Sequence, residues 1–248
     1  MATTLIYDIG ANNGDDIAYY LKKADRVVAV EANPALCDVI RTRYADQISS
    51  GALVVENVVL TDEANDAAVL FHIHRTNHVL SQFPAPPASH AAAFEAIALP
   101  ALSVAELVAR HGQPHYVKID LEHYDAQVLR ALFTSGVFPD YLSVEAHQLD
   151  VFALLVTAGG YRAFKLVDGR SVSERYGQHF IMSTFGRELH EFPFHSAGPF
   201  GIDIPGPWMT AGSFLRLLRI VGLGWKDIHA SRVDEPRDDI PRWLLPPT

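Results

Sequence analysis

A short β-prone run, Thr4–Ile9, breaks into Gly10-Ala11-Asn12-Asn13-Gly14, and 21 residues after Gly10 a second apolar run, Arg26–Val30, closes on Glu31. Glycines at both ends of such a turn let backbone approach a ligand without side-chain clash. An acidic residue at the end of the second strand of a βαβ unit accepts hydrogen bonds from ribose hydroxyls. Together these features point to a nucleoside. The dinucleotide fingerprint G-x-G-x-x-G would put its middle glycine, which lets the backbone close on a pyrophosphate, where this chain has Asn12. Asp15 and Asp16 then crowd the helix entrance that an anion would need. A cofactor with ribose and adenine but no pyrophosphate fits better, and S-adenosylmethionine has that character. An NAD-dependent oxidoreductase is the rival reading, and a glycine turn with a purely structural role is the plainer one.

A second constellation follows the run His115–Leu121, where Lys118, Asp120 and Glu122 alternate onto one side. A buried strand with one polar side is costly unless the side serves a site, and an ion pair is the expected role of Lys118. If the cofactor is a sulfonium, transfer of its methyl group is an in-line displacement that needs alignment and, where the acceptor carries a proton, a base. The candidates for that base are Asp120, Glu122 and His123 after the fourth strand, with Glu145 and His147 on the fifth. His147 is preferred because an imidazole titrates near neutrality, against an ordinary strand-end histidine. The same carboxylates and imidazoles could gather a divalent cation, but no tight ligand motif is present and no metal is expected. His72, His74 and His78 read as a solvated face.

Elements that hold these residues follow from the pattern. Strand, turn and an amphipathic helix over Asp15–Lys23 are succeeded by Arg26–Val30 and a helix opened by Pro34 and running to about Tyr44. Leu53–Leu60 reads as a third strand, ending near Glu56 and Asn57, with Ala67–His74 as a hairpin partner further on. Phe83–Pro100, with four prolines around alanines, reads as a surface excursion and a cover for a site. Ser103 and Glu106 form a capping-box pattern for a helix to about His111. Helices at Asp125–Gly136 and Asp150–Ala158 flank the strand Tyr141–His147, and Tyr161–Val167 with His179–Thr184 are expected as an antiparallel edge. The alternation predicts an α/β fold with a mostly parallel, doubly wound sheet.

Four blocks carry a resemblance: Asp8-Ile-Gly-Ala-Asn-Asn-Gly14, Val28-Ala-Val-Glu-Ala-Asn-Pro34, Val117-Lys-Ile-Asp-Leu-Glu122 and Leu142-Ser-Val-Glu-Ala-His147. In that order, over about residues 4 to 168, the chain resembles the FkbM-like S-adenosylmethionine-dependent methyltransferases. The tail segments Ser196–Trp208 and Gly224–Ala230 are similar to C-terminal elements of some members. The resemblance implies a Rossmann-like methyltransferase sheet with a reversed edge strand. It also implies O-methylation of sugar, glycan or polyketide-like hydroxyls. Carried over by position, Asp8, Gly10, Asn12 and Gly14 would cradle the methionine portion of S-adenosylmethionine. Glu31 would hold the ribose, Asn33 would border the adenine, Asn57 or equally Glu56 at the end of the third strand would approach the adenine rim, and Asp120 would stand beside the cofactor. One departure is plain: His123 occupies a position that is commonly Gly in the family.

Composition bounds the rest. A chain of 248 residues, 49% hydrophobic and 20% charged, can bury a full core, which excludes disorder and collagen-like repeats. The expected organisation is a cofactor-binding domain over 1–185 and a Gly/Pro-rich extension over 186–248 packed on it. A net charge of −9 argues against nucleic acid as a partner and suits a neutral acceptor with a cationic cofactor. Cys37 alone permits no internal disulfide, and no run approaches the roughly 18 apolar residues of a membrane span. A cytoplasmic enzyme without signal peptide or membrane partner is expected, with a homodimer through Phe214–Val221 as an open alternative. A binding module that keeps the nucleoside site without turnover is the remaining reading, motivated by His123.

Overall fold

Leu5–Ile9 (β1) is buried at every position, the pattern of a parallel strand covered on both faces, and yet it contains an aspartate, Asp8. In the computed structural model, which describes residues 4–64, 67–241 and 244, the chain forms two compact units, Met1–Val137 and Phe138–Thr248. The first continues with α1 (Ile17–Lys23), β2 (Arg26–Val30), α2 (Pro34–Arg43), α3 (Ala45–Ser49), β3 (Leu53–Glu56), β4 (Val59–Thr61), β5 (Val69–His74), β6 (Phe94–Leu99), β7 (Ala101–Ser103), α4 (Val104–His111), β8 (Tyr116–Ile119) and α5 (Asp125–Thr134). Strands run β8-β1-β2-β3, all parallel, so the chain order reverses between β1 and β8. Crevices at such reversals, beyond the carboxyl ends of the strands, are where open α/β sheets bind ligands. Register pairs Asp8 with Ala29 on one side and Lys118 on the other.

Helix starts follow local chemistry. Asn33 caps α2 by accepting the Ala35 N–H at 3.1 Å, with Pro34 in the first turn where its missing N–H costs nothing. Ser103 and Glu106 close the expected capping box on α4.

Two strand expectations change in this unit. Leu53–Leu60 is not one strand: β3 stops at Glu56, and β4 leaves to pair with β7. The Asn57 side chain fixes the break, its amide donating to Glu31 O at 3.0 Å and Ala32 O at 2.9 Å. Within the supposed excursion, Phe94–Leu99 forms β6, antiparallel to β5. Its alternation is masked by alanine, a weak strand former, while Ile97 and Leu99 pack on Phe71 and Val59. The Pro-rich part, 75–93, forms the connection between β5 and β6.

The second unit contains β9 (Tyr141–Glu145), α6 (Leu149–Thr157), β10 (Ala163–Asp168), α7 (Val172–Tyr176), β11 (His179–Ser183), β12 (Gly186–His190), β13 (Met209–Thr210), α8 (Ala211–Val221) and β14 (Lys226–Ser231). Here the order is β13-β10-β14-β9, and β14 is antiparallel to both neighbours. The antiparallel partner expected for β10 was His179–Thr184; instead that segment pairs with β12 as a separate hairpin, and the tail supplies β14. Lys226–Ser231 carries Asp227, His229 and Ser231, all buried, so this strand lacks the apolar run that marks the others. The architecture is thus a Rossmann-like, mixed α/β one. No helix among the described residues is long and apolar enough to cross a membrane.

Candidate functional site

Where β1 ends, the backbone turns back on β2. Gly10 and Ala11 N–H groups donate to Val30 O at 2.9 and 3.1 Å, and the Asn12 N–H donates to Glu31 Oε2 at 2.8 Å. The Asn33 N–H donates to Glu31 Oε1 at 2.7 Å, so both carboxylate oxygens are fixed by backbone from opposite sides. Gly10 has φ +80°, and a Cβ there would lie 1.9 Å from Asp120 O, so only glycine lets the loop after β8 run against this turn. Asn12 follows at φ +49°, a left-handed conformation that asparagine tolerates better than most residues. Asn57 braces the Glu31 and Ala32 carbonyls from β3, and Asn33 caps α2.

Charge in this crevice is unbalanced. Burial, partly offset by the two backbone bonds, pushes the Glu31 carboxyl up to about 7. A carboxylate has about four acceptor sites, so each Glu31 oxygen retains capacity for one more donor. Asp8 is fully buried, and neither oxygen has a hydrogen bond; Lys118 Nζ stands 3.5 Å from Oδ1. Burial holds the Asp8 carboxyl above its ordinary range, against the pull of Lys118. That one ammonium also faces Asp120 at 3.3 Å and Asp16 at 3.9 Å and donates to Gly10 O at 3.0 Å. With Asn12 Oδ1 also buried and unbonded, the crevice has acceptors and negative charge short of donors and positive charge. A ligand bringing a diol and a cationic group supplies what is missing.

Beyond Asp120 the loop is tightly held. The Asp125 carboxylate accepts the Leu121 N–H at 2.8 Å, and burial keeps its carboxyl well above the usual range. Tyr124 donates to Asp62 Oδ1 at 2.6 Å. Between them Glu122 is pushed up to about 7, by burial first and by the Asp120 charge second. His123 adopts φ +68°.

The family model of the methyltransferase FkbM domain matches residues 8–162, more than half of the chain. This chain belongs to that family. Among curated proteins none matches the sequence. Similar solved structures include the methyltransferase FkbM of Methylobacillus flagellatus, at 15% identity and a TM-score of 0.43, covering 66% of this chain and 40% of that one. A precorrin 8w decarboxylase of Methanobacterium thermoautotrophicum has 9% identity and a TM-score of 0.42 over 93% of this chain and 82% of that one. A SAM-dependent O-methyltransferase of Thermotoga maritima has 7% identity and a TM-score of 0.40 over 94% of this chain and 61% of that one. The chain thus spans about two fifths of the FkbM structure it resembles.

Within the FkbM domain, Asp8, Gly10, Asn12, Gly14, Glu31, Asn33, Asn57 and Asp120 all lie in the first unit, at or just beyond the carboxyl ends of β1, β2, β3 and β8. Glu122 is on the same loop as Asp120. Glu145 and His147 lie in the second unit, where Glu145 ends β9 and its Oε1 is 3.2 Å from His147 Nε2. Sequence reasoning missed two participants. Asp16, at the start of α1, turns inward to Lys118 while its neighbour Asp15, one residue earlier in the turn, turns out to Arg43 at 2.7 Å. Asp62 ties the loop through Tyr124; only the chemistry of a buried tyrosine hydroxyl, which seeks a partner, pointed toward such a bond.

Proposed function

We propose that this chain is an S-adenosylmethionine-dependent O-methyltransferase that acts on a hydroxyl of a sugar, glycan or polyketide-like small molecule. The observation that carries this reading is the Glu31 carboxylate, latched by two backbone N–H groups beneath the glycine turn with one acceptor site left on each oxygen. The donor-poor Asp8 and Asn12 beside it fit the cationic end of the same cofactor. When bound, S-adenosylmethionine supplies an electrophilic methyl group that an oxygen nucleophile can take.

The chain's own residues then have separate tasks. Glu31 orients the ribose, the Asn33 N–H holds the Glu31 carboxylate and the Asn57 amide its backbone carbonyl at the adenine border, and Lys118 holds Asp8 and Asp120 against their mutual repulsion. His147, with Glu145 behind its imidazole, takes the hydroxyl proton; Glu122, whose proton is held to about pH 7, is the second candidate. The reading of 186–248 as an extension packed on the cofactor-binding domain is supported by β14, which pairs with β9 and β10.

Isothermal titration with S-adenosylmethionine tests the reading. Saturable binding that Glu31→Ala abolishes supports it. Binding of a nicotinamide cofactor instead would return the chain to the oxidoreductases, and cofactor binding without turnover over a broad acceptor panel would make it a binding module. His147→Ala should lower turnover far more than cofactor affinity, and unchanged turnover would remove His147 from the chemistry.

A further inference from the structure

Next to the loop that touches the glycine turn, the first unit has a cavity of about 470 Å³, inside the size range of small-molecule sites. Three of its walls are Pro84, Pro86 and Pro87, and a fourth is Phe94. These are rigid hydrocarbon faces without hydrogen-bond donors. Among the described residues, the side chains around the cavity that can hydrogen-bond are Gln82, His90 and His123. A sugar, with a hydroxyl on nearly every carbon, would leave most of its polar groups unpaired against such walls, and each unpaired group costs binding free energy. A planar ring with one or two hydroxyls would not.

His123 gives the stronger argument. At φ +68° it stands in the left-handed region that a glycine enters freely, and a side chain there is strained. Strained non-glycine residues persist where the surroundings over-determine them, and they cluster at ligand sites. Here the imidazole forms part of the cavity wall. The backbone that carries it begins at Asp120, whose carbonyl lies against Gly10. The Pro-rich segment is tied to the same loop, since the ring of Phe83, next to Pro84, meets the Tyr124 ring edge-on at 5.1 Å and Tyr124 is held by Asp62. Asp120 and Glu122, close in sequence, disfavour an anionic occupant.

We propose that this cavity is the acceptor pocket and that it takes a neutral hydroxylated aromatic ring, with His123 as a positioning residue that hydrogen-bonds the ring hydroxyl. This rests on the methyltransferase reading above for the word acceptor, though not for the binding itself.

The full chain, titrated by calorimetry and NMR with 2-naphthol and separately with methyl β-glucopyranoside, decides it. Saturable binding of naphthol and none of the glycoside is expected. His123→Gly and Phe94→Ala should each weaken naphthol at least tenfold while leaving S-adenosylmethionine affinity within twofold. His123→Gly should also raise Tm, because it removes the left-handed strain, whereas a residue with a merely structural role would lower it. Tighter binding of the glycoside, no saturable naphthol binding, or naphthol affinity unchanged in both variants overturns the proposal. Failure of S-adenosylmethionine to bind the wild-type chain would sink the methyltransferase reading and leave the naphthol result to judge the pocket by itself.

Discussion

Lys118 in the first unit and Lys165 in the second are both buried lysines on sheet strands, and they are treated in opposite ways. Lys165 donates to Ile204 O at 2.6 Å and lies 4.6 Å from the centre of the Trp208 ring; burial lowers its ammonium to about 8. Its neighbour His229 is pushed down to about 3, by burial first and by the Lys165 charge second, and Asp234 and Asp203 partly offset the charge of that ammonium. Lys118 instead stands among Asp8, Asp16 and Asp120, one cation against three carboxylates, with Glu31 close by in the same crevice. A buried ammonium that the chain satisfies for itself, as Lys165 is with the Ile204 carbonyl and the Trp208 ring, is architecture. Polar burial left short of donors, at the carboxyl ends of strands, is a place prepared for something else.

Removing each ammonium should separate the two cases most sharply. Lys118→Met leaves three carboxylates without their counter-charge and should cost about 3–5 kcal/mol of folding stability. Lys165→Met trades a desolvated charge for a side chain of similar volume and leaves one carbonyl unpaired, so the change should stay within about 1 kcal/mol. Urea unfolding at pH 7.5 measures both, and equal losses would erase the distinction.

The pH dependence of stability comes next in size. A carboxyl whose folded-state value is raised stays protonated in the folded chain at a pH where the unfolded chain has released that proton. Stability then falls as pH rises, from the unfolded value of 4.5 to the folded value of about 7 for Glu31. Glu31 alone contributes a loss of at most about 3 kcal/mol across that window. Glu122, Asp8 and Asp125 shift in the same direction. The cofactor-free chain should therefore be less stable at pH 8 than at pH 5, and saturating S-adenosylmethionine should remove part of the difference. A Tm that rises between pH 5 and pH 7 without cofactor would contradict the assignment of these shifts.

Glu31→Gln acts on binding more than on folding. It keeps the shape but loses the charge and turns one acceptor into a donor, so cofactor affinity should drop by about 2–3 kcal/mol, roughly 30- to 150-fold. Wild-type affinity should also weaken about tenfold from pH 8 to pH 6 as Glu31 takes up its proton, and the Gln variant should lose that dependence. Titration calorimetry at the two pH values reads both effects.

The crevice was legible in the sequence because its parts are local. An apolar run, a glycine turn and a strand-ending carboxylate fall within the first 31 residues, and their order and spacing together point to a nucleoside. Lys118 with its alternating acids was legible for a related reason, since a buried strand does not carry such residues without cause. The strand Phe94–Leu99 was hidden by alanine, which is compatible with helix, strand or loop, and only its contacts with Phe71 and Val59 decide for strand. Lys226–Ser231 was hidden by its own polarity. Its place between β9 and β10 depends on partners some 60 to 85 residues earlier in the chain, which no local pattern encodes. Asp15 and Asp16 are identical in type and adjacent in sequence, and only the path of the turn before α1 sends one to Arg43 and the other to Lys118.

Asn57 offers the smallest and most discriminating test of where ligand binding ends and architecture begins. Its position at the end of β3 suits a residue that meets the adenine, yet its amide hydrogens are both given to the Glu31 and Ala32 carbonyls. Asn57→Ala removes two partly buried hydrogen bonds and should cost about 1–2 kcal/mol of stability. Because those carbonyls flank the carboxylate that holds the ribose, the variant should also loosen Glu31 and weaken S-adenosylmethionine a few fold. Asn57→Asp separates the contributions: it retains the size but has no hydrogens to donate and sets a second negative charge near Glu31. Stability should fall further than in the alanine variant. If the alanine variant loses stability but binds the cofactor as well as wild type does, Asn57 is a brace only; if it loses affinity with no change in stability, its contact is with the adenine.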